Sequence, residues 1–394
     1  MLDLSGLAPQ IEKMAAESRL DINKYTFKIS NAGLAFDDYD KNPDLWLDKI
    51  NSDNHHFFVA FPQGRISDVF SLPKSFVPYT IVAVDGSQID IDTHEIALCY
   101  VLNSGRVAIH YGTGELSHMD SASKLFYRDE DLYKHGENGL VLVQGDRIAE
   151  LRLIMEASEL KKMIIEHRKE YVPLVAFVDG RLVSWDRTGA ARKDPSAFSA
   201  PYFEEAFKIG QLYRIPVAGY VSGSRTSLVV NTLRAKDCVK PVMNCLKCEH
   251  NDEKNANCKM LEGVRDTALF NKVLKLGERS CHFYGGINSL PSNTAPLYRI
   301  GFFYVNVGSE IARVEAPDYV LENMDLLNLL HWVTFDQAQK GMGYPIALQE
   351  AHHFAVIKSE DKERFYHLLR QQMARHGIPL KVTHKKLGKN SRIF

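Results

Sequence analysis

Two aspartates in this sequence stand where a buried strand could present a carboxylate for chemistry. Asp85 follows the apolar run "YTIVAV", Asp179 follows "VPLVAFV", and a glycine comes directly after each. Either Asp-Gly pair alone would more often be an ordinary turn. In an α/β sheet, however, the carboxyl ends of strands form the rim where ligands bind. Two neighbouring carboxylates repel unless a cation lies between them, and hard oxygen ligands favour Mg²⁺ or Mn²⁺, so the pair predicts a divalent-metal site.

A third carboxylate is expected from a helix that packs beside these strands. Residues 146–169 carry apolar side chains at helical spacing. A helix that returns along a strand of about 20 Å needs about 13 residues plus a connection, which places the ligand roughly 18–25 residues before Asp179. Glu156 fits this spacing best, with Glu150 near the helix start and Glu159 as the alternatives. Any one of the three glutamates could also be a solvated helix residue.

The stretch "YPIALQEAH" places a tyrosine and a histidine on one side of a predicted helix. Tyr344 and His352 are eight residues apart, just over two helical turns. Pro345 suits the first turn of that helix. His352 could bind a metal ion or move a proton, and the Tyr344 hydroxyl could position a phosphate or a water molecule. Taken alone, His352 would more often be a surface residue, as His353 beside it is expected to be.

A cysteine-containing segment is the second candidate metal site. The chain has six cysteines, and four of them lie close together in the sequence: Cys238, Cys245, Cys248 and Cys258. The CxxC spacing within this set is typical of ligands for zinc or for an iron–sulfur cluster, and His250 could replace one cysteine. Because only one CxxC is present, free thiols in a surface insertion are the simpler interpretation.

The composition describes an ordinary globular protein. The 394 residues are 45% hydrophobic and carry a formal net charge of -1, which suffices for a full-sized core in one elaborated domain or two. No apolar run approaches the roughly 20 residues of a membrane helix, and the first residues lack the apolar core of a signal peptide. We therefore expect a cytoplasmic protein. A basic tail contains Lys381, Lys385, Lys386, Lys389 and Arg392 and no acid.

The order of the predicted elements is that of a ribonuclease H-like α/β fold. Three antiparallel strands, with "NSG" as a hairpin turn, precede a long helix, and two strands joined by a further helix follow it. The predicted ranges, in the same order, are 79–85, 94–102, 106–112, 146–169, 172–179, 201–214 and 215–222. The predicted divisions are an N-terminal helical or irregular extension (1–75), the main domain (76–357, with an insertion at about 235–290) and a C-terminal helix with the basic tail (358–394).

Taken together, these stretches resemble the NurA nuclease family over about residues 78–357. The resemblance rests on "AVDGSQI" with a following histidine (83–94), a glutamate of the 146–169 helix, "FVDGRL" (177–182) and "GYPIALQEAH" (343–352). The cysteine segment has no place in that pattern.

The resemblance implies a fold similar to ribonuclease H and the PIWI domain. It also implies a Mn²⁺-dependent DNA nuclease, with 5′→3′ exonuclease and single-strand endonuclease activity. Members of the family form homodimers and process DNA ends with the hexameric ATPase HerA. By motif match, Asp85, a helix glutamate, Asp179 and His352 would form the metal site, with Tyr344 assisting.

Two other functions remain open from the sequence. The first is a catalytically silent DNA-binding or assembly subunit on the same fold, in which the carboxylates are structural. The second is a phosphatase or nucleotide hydrolase that uses the same acids. The sequence contains no GxxxxGK[ST] stretch that would support ATP hydrolysis.

Overall fold

A computed structural model describes most of the chain. The described residues are 2–50, 58–136, 139–183, 201–238, 240–249, 256–285 and 298–378. Among them, no helix combines the length and the apolar character needed to span a membrane.

The described residues form both helices and strands. The helices are α1 (Leu4–Tyr39), α2 (Pro43–Ile50), α3 (Asp129–Leu132), α4 (Asp146–His167), α5 (Glu204–Tyr213), α6 (Leu228–Leu233), α7 (Asp266–Val273), α8 (Asp318–Leu321), α9 (Met324–Lys340), α10 (Ile346–Ala355) and α11 (Ser359–Arg375). The strands are β1 (Ala60–Pro62), β2 (Val69–Phe70), β3 (Tyr79–Ile89), β4 (Tyr100–Tyr111), β5 (His118–Phe126), β6 (Tyr133–Gly136), β7 (Gly139–Leu142), β8 (Leu174–Asp179), β9 (Val217–Val221), β10 (Arg279–Ser280), β11 (Phe283–Gly285), β12 (Ile300–Asn306) and β13 (Ile311–Pro317).

The chain divides into two compact units. We call them the α1 unit, which comprises residues 1–74, 180–200 and 219–343, and the α10 unit, which comprises residues 75–179, 201–218 and 344–394. The three-part division expected from the sequence stays a prediction.

The α10 unit contains a sheet in the order β5–β4–β3–β8. Strands β3, β4 and β5 pair antiparallel, and β8 pairs parallel to β3. Helix α4 lies between β7 and β8 in sequence and packs on β3 and β4, and α10 packs on β3, β4 and β5. Three antiparallel strands, a helix and a parallel fourth strand beside the first are the ribonuclease H-like arrangement. The predicted fold class is therefore confirmed.

The predicted hairpin at "NSG" is wrong. Strand β4 runs without a turn from Tyr100 to Tyr111, and residues 103–105 lie in its middle. Gly105 occurs there because the backbone of α10 lies against it: a Cβ would meet the backbone N of Ala355 at 2.6 Å. A glycine within a strand often marks such a close approach of another backbone. The third strand of the meander is instead β5, a largely exposed edge strand.

The α1 unit contains a second set of paired strands. Its order is β1–β11–β12–β13, followed by residues 219–221 of β9, all paired antiparallel. The unit buries a polar network in which Arg313 Nε donates to Glu315 at 2.9 Å and the Tyr304 hydroxyl donates to Asp266 at 2.8 Å. All four side chains are fully buried.

Part of the segment predicted as an insertion belongs to the core of the α1 unit. Helix α7 buries Leu269 and Phe270, and β11 pairs with β12. The N-terminal extension, which was predicted to be helical or irregular, begins with a single helix of 36 residues.

Candidate active site

The two strand-borne aspartates lie next to each other in the α10 unit. The parallel pairing of β3 and β8 aligns Val84 with Val178, and Asp85 and Asp179 are the next residues on the two strands. Strand β8 ends at Asp179, but β3 continues to Ile89. The sequence had suggested that Asp85 is the last residue of its strand, and this is wrong. Asp85 still lies at the edge of the sheet where β8 ends.

Glu156 of α4 is the glutamate that joins them. It is buried, with 7% of its surface exposed. Its pKa is raised from 4.5 to about 7, first because burial disfavours the charged form and then because the carboxylates of Asp85 and Asp179 repel it. Among the named causes, only the positive charge of Arg152, one turn earlier on the helix, lowers the pKa of Glu156. At neutral pH this carboxylate is therefore only partly ionised, and a further positive charge beside it would favour the ionised form.

The close approach of α4 to β3 depends on Gly86. A Cβ at this position would overlap the Glu156 carboxylate and lie 2.8 Å from Cγ of Arg152. The glycine after Asp85 therefore makes room for the helix side chains beside the strand. This is a packing role, whereas the sequence alone favoured an ordinary turn at an isolated Asp-Gly pair.

His352 lies on helix α10, and Tyr344 lies just before the start of that helix. Nδ1 of His352 donates to Oδ2 of Asp85 at 2.7 Å, and 58% of the histidine side chain is exposed. The hydroxyl of Tyr344 donates to the Asp179 carboxylate. Asp179 is the exposed last residue of its strand. Its pKa is nevertheless raised, because partial desolvation of the carboxylate and repulsion from Asp85 outweigh the hydrogen bond.

The other two candidate glutamates point elsewhere. Glu150 accepts hydrogen bonds from Tyr202 and Arg147, which lower its pKa. Glu159 accepts from Arg106 Nη1 at 3.0 Å and from Lys162 at 2.6 Å. The structure therefore brings Glu156, and neither of the others, together with the two aspartates. The catalytic role of each residue stays a prediction.

Sequence reasoning missed two residues of this site, Gly105 and Arg152, and the packing role of Gly86. Gly105 lets α10 rest on β4 beside Asp85, with which it pairs. Gly86 does the same for α4, and Arg152 reaches the carbonyl oxygen of Gly86. The spacing of Arg152 four residues before Glu156, typical of helical ion pairs, was the one available signal for the arginine.

The donors at this site have the chemistry of ligands for a hard divalent cation. Three carboxylates and one imidazole lie near one another, and desolvation and mutual repulsion raise the pKa of Glu156 and of Asp179. Within the described residues, no three His, Cys, Asp or Glu side chains are already arranged to hold a metal ion. The fit of the site to a metal therefore rests on the identity of its donors and on their electrostatics.

The cysteine segment is a cluster of free thiols. Its four cysteines are half-buried and form no disulfide. Burial raises the pKa of Cys258, Arg234 opposes this, and the three other cysteines raise it further, so the four lie near one another. No metal-ligand arrangement occurs there in the described residues. The structure therefore gives no support to a zinc or iron–sulfur site.

Two further predictions lie outside the described residues. One is His250 as a substitute ligand, and the other is the basic tail with Lys381, Lys385, Lys386, Lys389 and Arg392.

Comparison with known proteins places this chain in a family. A family model described as the NurA domain matches residues 79–357. The NurA nuclease from Sulfolobus solfataricus is 13% identical, with a TM-score of 0.46, over 92% of this chain and 98% of that one. NurA bound to dAMP and manganese is also 13% identical, with a TM-score of 0.38, over 92% of this chain and 96% of that one.

A more distant similarity is to the catalytic domain of human Endonuclease V. It is 13% identical, with a TM-score of 0.30, over 77% of this chain and 86% of that one. Comparison with curated protein sequences finds no match.

Proposed function

Because this chain belongs to the NurA family of nucleases, we propose that it hydrolyses DNA phosphodiester bonds with the help of Mn²⁺ or Mg²⁺. Asp85, Glu156, Asp179 and His352 would hold the ion. When bound, such an ion activates water and stabilises negative charge on the attacking and leaving oxygens. The remaining chemistry belongs to the side chains of the α10 unit.

The side chains around the carboxylates hold them in place and provide proton transfer. Asp85 accepts a hydrogen bond from Nδ1 of the exposed His352 ring, so Nε2 is the ring's second nitrogen. That nitrogen is available to bind the ion or to exchange a proton with water. The Tyr344 hydroxyl orients the carboxylate of Asp179. Glu156 must lose its proton to act as a ligand, so we expect activity to rise with pH through about 7.

One observation carries this proposal: three acids from β3, β8 and α4 meet the histidine of α10. The first and last of these residues, Asp85 and His352, are 267 positions apart in the sequence. Acids gathered this closely repel one another and cost stability unless a cation compensates them. A purely structural role does not explain why the fold would bring them together.

A cleavage assay with matched variants tests the proposal. Purified protein is incubated with labelled single- and double-stranded DNA in Mn²⁺, in Mg²⁺ and in chelator. We expect metal-dependent cleavage that falls by at least about a hundredfold in Asp85→Ala and Asp179→Ala. Glu150→Gln, which removes a carboxylate of the same helix away from the site, should cleave normally. Thermal unfolding shows whether each variant is folded.

Failure of this assay has a defined meaning. If the wild-type protein binds DNA but cleaves none in any metal, with or without an ATPase partner, the chain is a silent DNA-binding or assembly subunit. If the aspartate variants cleave as well as the wild type, the site lies elsewhere.

We further propose the activities and partners that the family resemblance implies. These are 5′→3′ exonuclease and single-strand endonuclease activity, a homodimer and a HerA-type hexameric ATPase with which the protein processes DNA ends. Sedimentation velocity measures the oligomeric state, and co-purification with the ATPase tests the partnership. Digestion of DNA labelled separately at its two ends gives the polarity. A monomer with no affinity for the ATPase would remove this part of the proposal and leave the nuclease intact.

A further inference from the structure

We propose that Arg152 forms a phosphate subsite that binds the substrate strand beside the carboxylates. This inference rests on the proposed nuclease function, because it names the group that the site recognises: the anionic oxygens of a DNA phosphate.

The position of Arg152 is fixed by two neighbours in the site. Its Nη1 donates to the carbonyl oxygen of Gly86 at 3.3 Å, one residue after Asp85. Its Nε lies 3.4 Å from Oε1 of Glu156, in an ion pair four residues along the same helix. The guanidinium is thereby held at the edge of the acidic cluster.

The contacts of Arg152 leave part of its hydrogen-bonding capacity unused. A guanidinium has five N–H donors. Nε is buried and makes no hydrogen bond, and Nη2 has no partner among the residues that the structure describes. Yet 38% of the side chain is exposed. An arginine placed only to neutralise Glu156 would be expected to form a bidentate pair with that carboxylate.

The charge of the site supports an anionic ligand at this position. DNA must bring a phosphate close to Asp85, Glu156 and Asp179, whose charges repel it. A cation at the same edge offsets that repulsion, and the planar fork of arginine matches phosphate oxygens. Gly86 allows this arrangement, since a Cβ there would lie 2.8 Å from Cγ of Arg152 and displace the side chain.

The competing explanation is that Arg152 only ties α4 to β3. Such a tether would affect folding and the position of Glu156 but not the number of phosphates that the protein contacts. The salt dependence of DNA binding separates the two explanations, because each lost phosphate contact lowers the slope of log K against log salt by about 0.7 for single strands.

The experiment measures binding without cleavage. A labelled single-stranded oligonucleotide is titrated at several salt concentrations, in Mn²⁺, with protein carrying Asp179→Asn to prevent hydrolysis. In this background we expect Arg152→Ala to weaken binding about tenfold and to lower the slope by about 0.7. Arg152→Lys keeps the charge and should keep most of the slope.

Arg147→Ala is the matched control. Arg147 lies on the same helix and is half-exposed, but it pairs with Glu150 away from the site. It should leave the slope unchanged. An unchanged slope in Arg152→Ala, or an equal loss in Arg147→Ala, would overturn the proposal. If Arg152→Ala does not fold, Arg152→Gln provides the neutral side chain. Cleavage by the otherwise wild-type protein tests the nuclease function separately.

Discussion

At the scale of single residues, Glu156 is the most informative member of the site. It is buried, and its pKa is raised from 4.5 to about 7 by desolvation first and by Asp85 and Asp179 second. When folding raises the pKa of an acid, the resulting contribution to stability is fully present below the pKa of the unfolded chain. It is lost as pH rises through the pKa of the folded chain. The protein without metal should therefore lose stability between about pH 4.5 and pH 7. Asp179, also raised, adds to the loss in the same direction.

Replacing this glutamate tests that linkage. In chelator at pH 8, we expect Glu156→Gln to be more stable than the wild type by a few kcal/mol at most, at about 1.4 kcal/mol per pKa unit. The difference should disappear as pH falls well below 4.5, where the glutamate is protonated in both folded and unfolded chains. Denaturant unfolding across this pH range measures it. Glu150→Gln should instead be less stable than the wild type at pH 8, because hydrogen bonds from Tyr202 and Arg147 lower the pKa of Glu150 and stabilise its ionised form in the folded chain. An equal gain in both variants would contradict this account.

The same pair of variants separates stability from catalysis. We expect Glu156→Gln to lose at least about a hundredfold in Mn²⁺-dependent cleavage, even where it is the more stable protein, because an amide is a poor ligand for a hard cation. Glu150→Gln should retain its activity. Initial rates on labelled DNA at saturating Mn²⁺ give the comparison. Wild-type rates for Glu156→Gln would remove the glutamate from the site.

The sequence could predict Glu156 because its distance along the chain from Asp179 is set by the helix and strand that lie between them. The length of a strand and the rise of a helix favoured Glu156 before its surroundings were known. They could not decide against Glu150 or Glu159, because the direction of a side chain around a helix depends on what packs there. Arg152 carried no signal beyond its spacing to Glu156.

At the scale of elements, two glycines set the distance of the helices from the sheet. Gly105 meets the backbone of α10, and Gly86 meets side chains of α4. Gly105 of β4 pairs with Asp85 of β3, and Gly86 is the next residue of β3. Paired residues share a face of the sheet and successive residues of a strand face opposite sides, so α10 meets Gly105 on one face and α4 meets Gly86 on the other. Each helix carries one metal-ligand candidate, and each reaches its place only because the strand lacks a side chain there.

Alanine at Gly105 tests this packing. A Cβ would overlap the carbonyl oxygen of Ala351 and lie 2.6 Å from the backbone N of Ala355, and rigid backbone cannot yield. We expect Gly105→Ala to destabilise the protein by about 1–3 kcal/mol, as overpacking does, and to reduce cleavage by displacing His352. Thermal unfolding and initial rates measure the two effects.

Gly33 in α1 provides the control for that substitution. No atom lies within 4 Å of the position its Cβ would take. Gly33→Ala should therefore stabilise the helix slightly, by up to about 1 kcal/mol, and leave cleavage unchanged. A Gly105→Ala protein as stable and active as Gly33→Ala would show that α10 can move aside without cost.

The elements themselves were predicted where their patterns were strong. The apolar periodicity of α4 and the buried run of β8 gave both elements within a few residues. The hairpin at "NSG" was wrong because Gly105 marks a tertiary contact, which no local pattern distinguishes from a turn. Strand β5 was missed because it is an edge strand with mostly exposed, polar side chains.

At the scale of the whole molecule, metal binding should be visible as stability. A ligand that binds only the folded chain adds about 2.7 kcal/mol at a hundredfold excess over its dissociation constant. We expect Mn²⁺ to raise the unfolding midpoint of the wild type at pH 8 and to raise that of Asp85→Asn and Asp179→Asn much less. Scanning calorimetry in chelator and in Mn²⁺ measures the shifts.

The pH of that measurement is also informative. The midpoint shift should shrink as pH falls below about 7, because protons compete with the ion for Glu156. A shift of equal size in the wild type and in both aspartate variants would mean that Mn²⁺ acts at some other place.

Gly105 has a consequence for how loss of function would look in related sequences. A chain could keep every acid, the histidine and the tyrosine, and still be disabled by a single methyl group at this position. An inventory of the chemical groups would find such a protein intact. The substitution that disables the protein would be found only at a position that contributes no atom to the reaction.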